Sequence, residues 1–314
     1  MDPRAIPRIL RIEGLLPFTG SALLLGSVIA FREAGASADW GLFVLAAAAA
    51  LLIHVDGHLW NDIMDLDTDR REKSRETGRP RPLLLGWATV AEYRALSAVI
   101  LAAVLLLAAL LTLHRVLIPL FLAVGLFFDY GYNHPRIALA YRPFTEYTIF
   151  PFLVVGVTLT VVYAATGILS AQAAILSLLL GLVATCFVVS MMRRDSVSDR
   201  AGGKITSSVL FPTLPHATAF GAVTLAAAFL SFPLLAAAIG NARLAGALVL
   251  VTAAVAGIDI ALGARVDRLA ARALRSAFPS FEREASRLVL LQVVSALFYA
   301  GGIAILLVLA GGGG

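Results

Sequence analysis

Apolar residues in this chain come in long blocks separated by short charged stretches, without the two-residue alternation of a half-buried strand. A block of about 20 apolar residues matches the ~30 Å hydrocarbon core of a bilayer. Nine blocks have this character, near residues 15–31, 42–60, 93–113, 116–130, 147–165, 171–192, 216–239, 244–264 and 288–310. Their uniform apolarity predicts helices, because a barrel strand would alternate polar and apolar positions. A segment in lipid must also satisfy its own backbone, which a helix does. The expected fold is all-α: a polytopic membrane protein with nine transmembrane helices, residues 1–314 forming one domain.

The charges sharpen this picture. With nine spans, the basic clusters before the first span and after the second, fourth, sixth and eighth all fall on one side. Only Arg32, Arg115 and Arg243 fall on the other. The positive-inside rule then puts the N-terminus in the cytoplasm. Residues 266–286 are too charged to span and are expected to form an interfacial helix touching lipid headgroups. No cleavable signal peptide is evident, since the first block lacks a processing site and resembles the later ones.

Composition agrees. The chain is 60% hydrophobic and 14% charged, against about half and about a quarter for a soluble domain. A pI near 9.7 would suit a nucleic-acid partner. The basic residues sit in short loops between apolar blocks, however, so membrane lipids are the expected partner and nucleic acid is not. The single cysteine, Cys186, lies inside an apolar block, is expected to be a small buried hydrophobe, and offers no disulfide framework.

Two motifs carry chemistry. The second block runs into Asn61, Asp62, Asp65, Asp67 and Asp69, with Asn61, Asp65 and Asp69 spaced i, i+4, i+8 on one helix face. The sixth runs into Arg193, Arg194, Asp195 and Asp199, repeating the i, i+4 spacing. Four spans separate them, so both emerge on one side. Carboxylates on one face repel unless a cation lies among them. Magnesium takes oxygen ligands and binds through one or two carboxylates plus substrate phosphates. Two such clusters would clamp a diphosphate.

The pattern N-D-x-x-D-x-x-x-D from Asn61 to Asp69, followed by Arg81, Pro82, Leu83 and Gly86, resembles the first signature of the UbiA superfamily of intramembrane prenyltransferases. Asp195, Asp199, Gly203, Lys204 and Thr206 resemble its second signature, in the style of quinone-biosynthesis members. Tyr132, Pro135, Tyr141, Arg142 and Glu146 resemble the loop after its fourth helix. The resemblance implies a helix bundle around a central cavity in the cell membrane, with the active site facing the cytoplasm. It implies two magnesium ions held by Asn61, Asp65, Asp195 and Asp199, with Asp62 and Asp69 supporting the metal shell. Lys73, Arg136, Arg194 and Lys204 are the implied cations for the leaving diphosphate, with Tyr132 beside them. The implied reaction moves a polyprenyl group from a prenyl diphosphate donor to an aromatic or other lipophilic acceptor.

Some residues depart from the pattern. Met191 and Met192 stand before the second motif where naphthoate-type members usually carry Asn, and Arg11-Ile12 stands where many have Arg-Pro. The apolar methionines fit a terpene cyclase of the same superfamily, which would need no acceptor. A cation-coupled transporter is a third reading, but the chain lacks an evident inverted repeat. His54 and His58 lie i, i+4 on the approach to the first motif and are expected to hydrogen-bond within the bundle or line the acceptor pocket, metal binding being the alternative. Glu146 and Asp129 are candidate acceptor-side bases, and Asp259 carries no expected role.

Overall fold

The computed structural model describes residues 1–71, 81–134, 136–274 and 281–311, with only the backbone described for Glu13, Thr68, Asp69, Arg71 and Glu282. Ten helices build the bundle: α1 (Ser21–Ala34), α2 (Trp40–Arg71), α3 (Val90–Thr112), α4 (Ile118–Asn133), α5 (Thr145–Thr166), α6 (Ala171–Ala201), α7 (His216–Leu230), α8 (Phe232–Ile239), α9 (Ala242–Ala273) and α10 (Phe281–Gly311). No strand occurs among the described residues. Local sequence sets several starts. Thr89 and Glu92 form a reciprocal capping box at α3. Ser170 and Asn241 each accept a backbone N–H at the first turns of α6 and α9.

Among the described residues, six helices are long and apolar enough to cross a membrane, and seven if α7 and α8 count as one bent span. The chain is thus a multi-pass membrane protein. The nine-span expectation is met only so far. The block near 15–31 becomes a π-helical turn, Leu16–Gly20, followed by the 14-residue α1, and the block near 116–130 becomes the 16-residue α4. Neither reaches 18 residues as one regular helix. The block at 216–239 is broken by 46° between α7 and α8. Pro233, in the first turn of α8, lacks the N–H that would continue α7.

The expected interfacial helix at 266–286 is not a separate element among the described residues, residues 275–280 of it lying outside them. Residues up to Ala273 continue α9 without a break. Asp267 explains why: it points inward, accepting from Thr218 N (2.9 Å) and Oγ1 (2.7 Å) at the start of α7. Its Oδ1 also accepts from the Ala217 N–H at 3.4 Å and faces Arg193 of α6, Nε to Oδ1 at 3.3 Å. Arg193 is 1% exposed and also donates to the Pro212 carbonyl at 2.7 Å. One buried ion pair thus ties α6, α7 and α9 together at the end that carries the second Asp motif. Breaking such a pair leaves a buried charge unmatched, at a cost of about 3–5 kcal/mol. Arg193→Met is therefore expected to lower thermal stability in detergent by several degrees, while Arg8→Met, at an exposed position, leaves it unchanged.

Water-driven burial does not hold helices together in lipid, so close packing must. The tightest crossing joins α5 to α6. A Cβ on Gly181 would stand 2.4 Å from the Pro151 carbonyl oxygen and 2.9 Å from its Cα. Only glycine allows that approach. The main core lies between α1, α5, α6, α9 and α10 and includes Leu25, Val162, Leu180, Leu248 and Tyr299. A second core joins α2, α4 and α5 through Ala46, Leu122 and Val161. α5 contributes to both, and α2 and α6 each pack against it. The two Asp-bearing helices therefore flank one shared partner.

Candidate active site

Asp65 is the centre of the site. It is 2% exposed and gathers groups from three separate segments. Lys204 Nζ lies 3.1 Å from its Oδ1. Tyr141 donates its hydroxyl proton to the same oxygen at 2.9 Å. Arg81 approaches Oδ2 at 3.5 Å. Lys204 also lies over the Tyr141 ring, 5.0 Å from its centroid. Its backbone N–H donates to the Asp199 carbonyl at 2.9 Å. Lys204 therefore bridges the first and second Asp motifs and brings the C-terminal ends of α2 and α6 to one place.

Asp62 is equally buried and differently engaged. It accepts from Arg11, from Arg81 Nη1 at 3.1 Å, and from the Tyr93 hydroxyl at 3.4 Å. Arg11 reaches on to Asn61 Oδ1 at 3.1 Å. The carboxylate of Asp62 is thus filled by donors and anchors the two arginines that approach the motif. Arg81 and Tyr141 stand within the resembled signatures and Arg11 departs from the pattern, but none of the three carries an expected role at the site.

Local backbone aims these side chains. Among the described residues only three non-glycine residues have positive φ: Arg11 (40°), Ala138 (47°) and Phe144 (68°). Such a conformation costs an L-residue about 1–2 kcal/mol. Arg11 breaks the N-terminal helix so that its guanidinium faces α2. Ala138 and Phe144 bracket the 3₁₀ turn Leu139–Tyr141 that presents Tyr141 to Asp65. Strain that clusters where side chains converge fits a functional site.

The second motif sits in the last two turns of α6. Asp195 is half-buried and held by both Arg194 Nε (2.6 Å) and Nη2 (2.9 Å), while Arg194 Nη1 donates to Ser286 Oγ of α10 at 3.1 Å. Asp199 is 3% exposed. Tyr132, at the end of α4, lies within electrostatic reach of Asp65, Asp199 and Glu146, and its ring meets Phe150 edge-on at 5.6 Å. Met191 and Met192 are half-buried and pack against the main core.

The remaining expected residues divide. His54 and His58 are hydrogen-bonded Nε2 to Nε2 at 3.0 Å, and His54 Nδ1 pairs with Thr19 Oγ1 at 2.9 Å. They form a polar line on the approach to Asn61. Glu146 is 2% exposed and accepts from the Ser207 N–H at 3.2 Å, tying the start of α5 to the segment after the second motif. Asp129 stands against α2, where a Cβ on Gly57 would fall 2.5 Å from its Oδ1. Arg136 is exposed, and its backbone N–H donates to His134 Nδ1 at 3.2 Å. Lys73 and the side chain of Asp69 lie outside the described residues.

Among the described residues no three His, Cys, Asp or Glu side chains converge as a protein-only metal cage would require. Magnesium does not need one, since substrate phosphates complete its shell. Asn61, Asp65, Asp195 and Asp199 offer hard oxygen donors at one end of the bundle. Asp65 faces two cations and an O–H donor, and Asp195 faces the Arg194 guanidinium. That chemistry fits a cation shared with a phosphate ligand.

The sequence profile of the UbiA prenyltransferase family matches residues 22–281. The chain belongs to this family. Solved structures of UbiA relatives share the fold. The apo structure of a UbiA homologue from Aeropyrum pernix K1 is 24% identical, with a TM-score of 0.59 over 98% of this chain and 99% of that one. A UbiA homologue from Archaeoglobus fulgidus bound to DMAPP and Mg2+ is 17% identical, with a TM-score of 0.59 over 94% of this chain and 98% of that one. A structure of digeranylgeranylglyceryl phosphate synthase is 16% identical, with a TM-score of 0.57 and the same coverages. No curated protein matches the chain significantly. The UbiA membership agrees with the paired signatures, and the homologue that holds a prenyl diphosphate with magnesium has the same all-helical architecture.

Proposed function

We propose that this protein is a magnesium-dependent intramembrane prenyltransferase that moves a prenyl group from a prenyl diphosphate to a lipophilic acceptor. In this reading the chain crosses the cell membrane nine times as one domain, with α1 and α4 as short spans, the N-terminus and the site facing the cytoplasm. The observation that carries it is the convergence on Asp65 of Lys204, Arg81 and Tyr141, with Lys204 joining the two Asp motifs.

Magnesium would be held by Asn61 and Asp65 on one motif and Asp195 and Asp199 on the other, where it supplies Lewis-acid stabilisation of the leaving diphosphate. Lys204 and Arg81 add positive charge beside the same oxygens. Asp62 holds Arg11 and Arg81 in place. Tyr141 orients Asp65. The apolar bundle houses the isoprenoid tail and keeps water from the allylic cation once the C–O bond ionises. In this reading His54, His58 and Glu146 would line the acceptor side, where a proton must leave the nucleophile.

The test is incubation with magnesium and a series of prenyl diphosphates, with and without aromatic and lipid-alcohol acceptors, read by mass spectrometry. Prenylated acceptor, formed only when acceptor is present, is the expected result. A cyclised hydrocarbon or alcohol formed from donor alone would replace this reading with a cyclase. Lys204→Met is expected to lower kcat by about 10²–10³-fold, the usual scale for one charge-stabilising group. Steady-state diphosphate release measures it.

A further inference from the structure

A second basic concentration lies apart from Asp65, and the fold gathers it more tightly than the sequence suggests. Arg265, Arg268 and Arg272 are spaced i, i+3, i+7 and share one face at the C-terminal end of α9. Arg287 projects toward them from α10. Together they line a cavity of about 330 Å³, with Glu284 at its edge and Leu269 and Leu288 supplying apolar wall. Four arginines from two helices therefore line one cavity, with Glu284 the carboxylate among its described lining residues.

We propose that this cavity between α9 and α10 is a binding site for a phosphate-bearing anion, separate from the candidate active site. Three observations carry it. Positive-inside topology needs basic residues on one side of the membrane but does not need them to converge from two helices on a shared cavity. Every cation in the lining is arginine, whose planar fork pairs two N–H groups with phosphate oxygens. The continuation of α9 past the membrane block, secured by Asp267, holds Arg268 and Arg272 on a rigid element. The site also adjoins the second Asp motif, because Arg194 donates to Ser286, the residue before Arg287. It therefore opens at the same end of the bundle as Asp65. The ligand is either an anionic lipid headgroup, with the two leucines against its glycerol and acyl portions, or a free phosphate or diphosphate.

The experiment uses the full-length protein purified in a neutral detergent. Native mass spectrometry is run with phosphatidylglycerol and with phosphatidylcholine, and pyrophosphate is titrated calorimetrically without magnesium. Three variants are compared with wild type: R265K/R268K/R287K, which keeps charge and topology but removes the forks; R265A/R268A/R287A; and R8A/R94A, which removes exposed arginines elsewhere. The site predicts a saturable adduct that weakens by about tenfold or more in both triple variants and is unchanged in R8A/R94A, about tenfold being the scale of 1.4 kcal/mol. If phosphatidylglycerol gives that adduct and phosphatidylcholine does not, the source is a lipid. If pyrophosphate shows a binding component lost in the triple variants while phosphatidylglycerol does not, the source is a free anion. Equal binding of both lipids with no such pyrophosphate component overturns the proposal. So does wild-type binding in the alanine variant. Loss in the alanine variant with full retention in the lysine variant also overturns it, because charge alone would then suffice.

Discussion

Asp65→Ala is expected to abolish turnover, with a fall in kcat of about 10³-fold or more, the upper scale for removing one preorganised charge-stabilising group. The effect is large because Asp65 has two tasks. It is the donor oxygen that would share a cation with the diphosphate, and it holds Lys204, Arg81 and Tyr141 in position. Alanine removes both and leaves two part-buried cations without that counter-charge, so some stability is lost as well. Asp65→Asn separates the contributions. It keeps an acceptor for Tyr141 and the volume of the side chain, and removes only the charge. The expected result is a thermal transition lowered less than in Asp65→Ala, since the Tyr141 acceptor and the side-chain volume remain while the counter-charge to Lys204 and Arg81 is gone, with turnover still lost. Wild-type turnover in Asp65→Asn would mean that the charge at Asp65 has no part in the reaction.

Gly181→Val is expected to have the largest effect on folding. The atoms that its Cβ would meet are the backbone oxygen and Cα of Pro151, at 2.4 and 2.9 Å, so no side-chain rotation relieves the contact. α5 and α6 would have to separate, and α5 is the helix that both Asp-bearing helices lean on. Overpacking within a core commonly costs about 1–3 kcal/mol, and backbone against backbone falls at or above the top of that range. Size-exclusion profiles and thermal unfolding in a single detergent measure it. The expected result is loss of the monodisperse peak or a transition lowered by many degrees. The same substitution at Gly156, where a Cβ meets nothing within 4 Å, is expected to be tolerated.

The helices and the two Asp motifs are legible in the sequence because each is a local pattern. An apolar run, a capping residue and an i, i+4 carboxylate spacing all lie within one or two turns. What surrounds the motifs is not local. Arg11, Arg81, Tyr141 and Lys204 come from four segments, and two of those segments depend on a strained residue that side-chain type does not announce. Arg11, Ala138 and Phe144 adopt positive φ without being glycine. Arg136, expected at the diphosphate by its place after Tyr132, is exposed near the start of that same loop. Charge misled at residues 266–286, where a high density of ionic residues resembled a membrane-surface helix. The Arg193–Asp267 pair shows that part of this charge is internal and serves to extend α9. The break between α7 and α8 was marked by Pro233 but hidden by unbroken apolarity on both sides. At the block near 15–31 the regular helix is shorter than the apolar run, because the residues of the π-helical segment count in the run without adding to α1.

In the proposed reaction Asp65 and Asp195, from two motifs more than a hundred residues apart, would serve one diphosphate. Calorimetric titration of geranyl diphosphate into the purified protein, with and without magnesium, tests it most directly when repeated on Asp65→Asn and Asp195→Asn. The account predicts saturable binding that requires magnesium in the wild type and is lost in each variant alone. Binding that is independent of magnesium, or that survives in either variant at wild-type affinity, would contradict it.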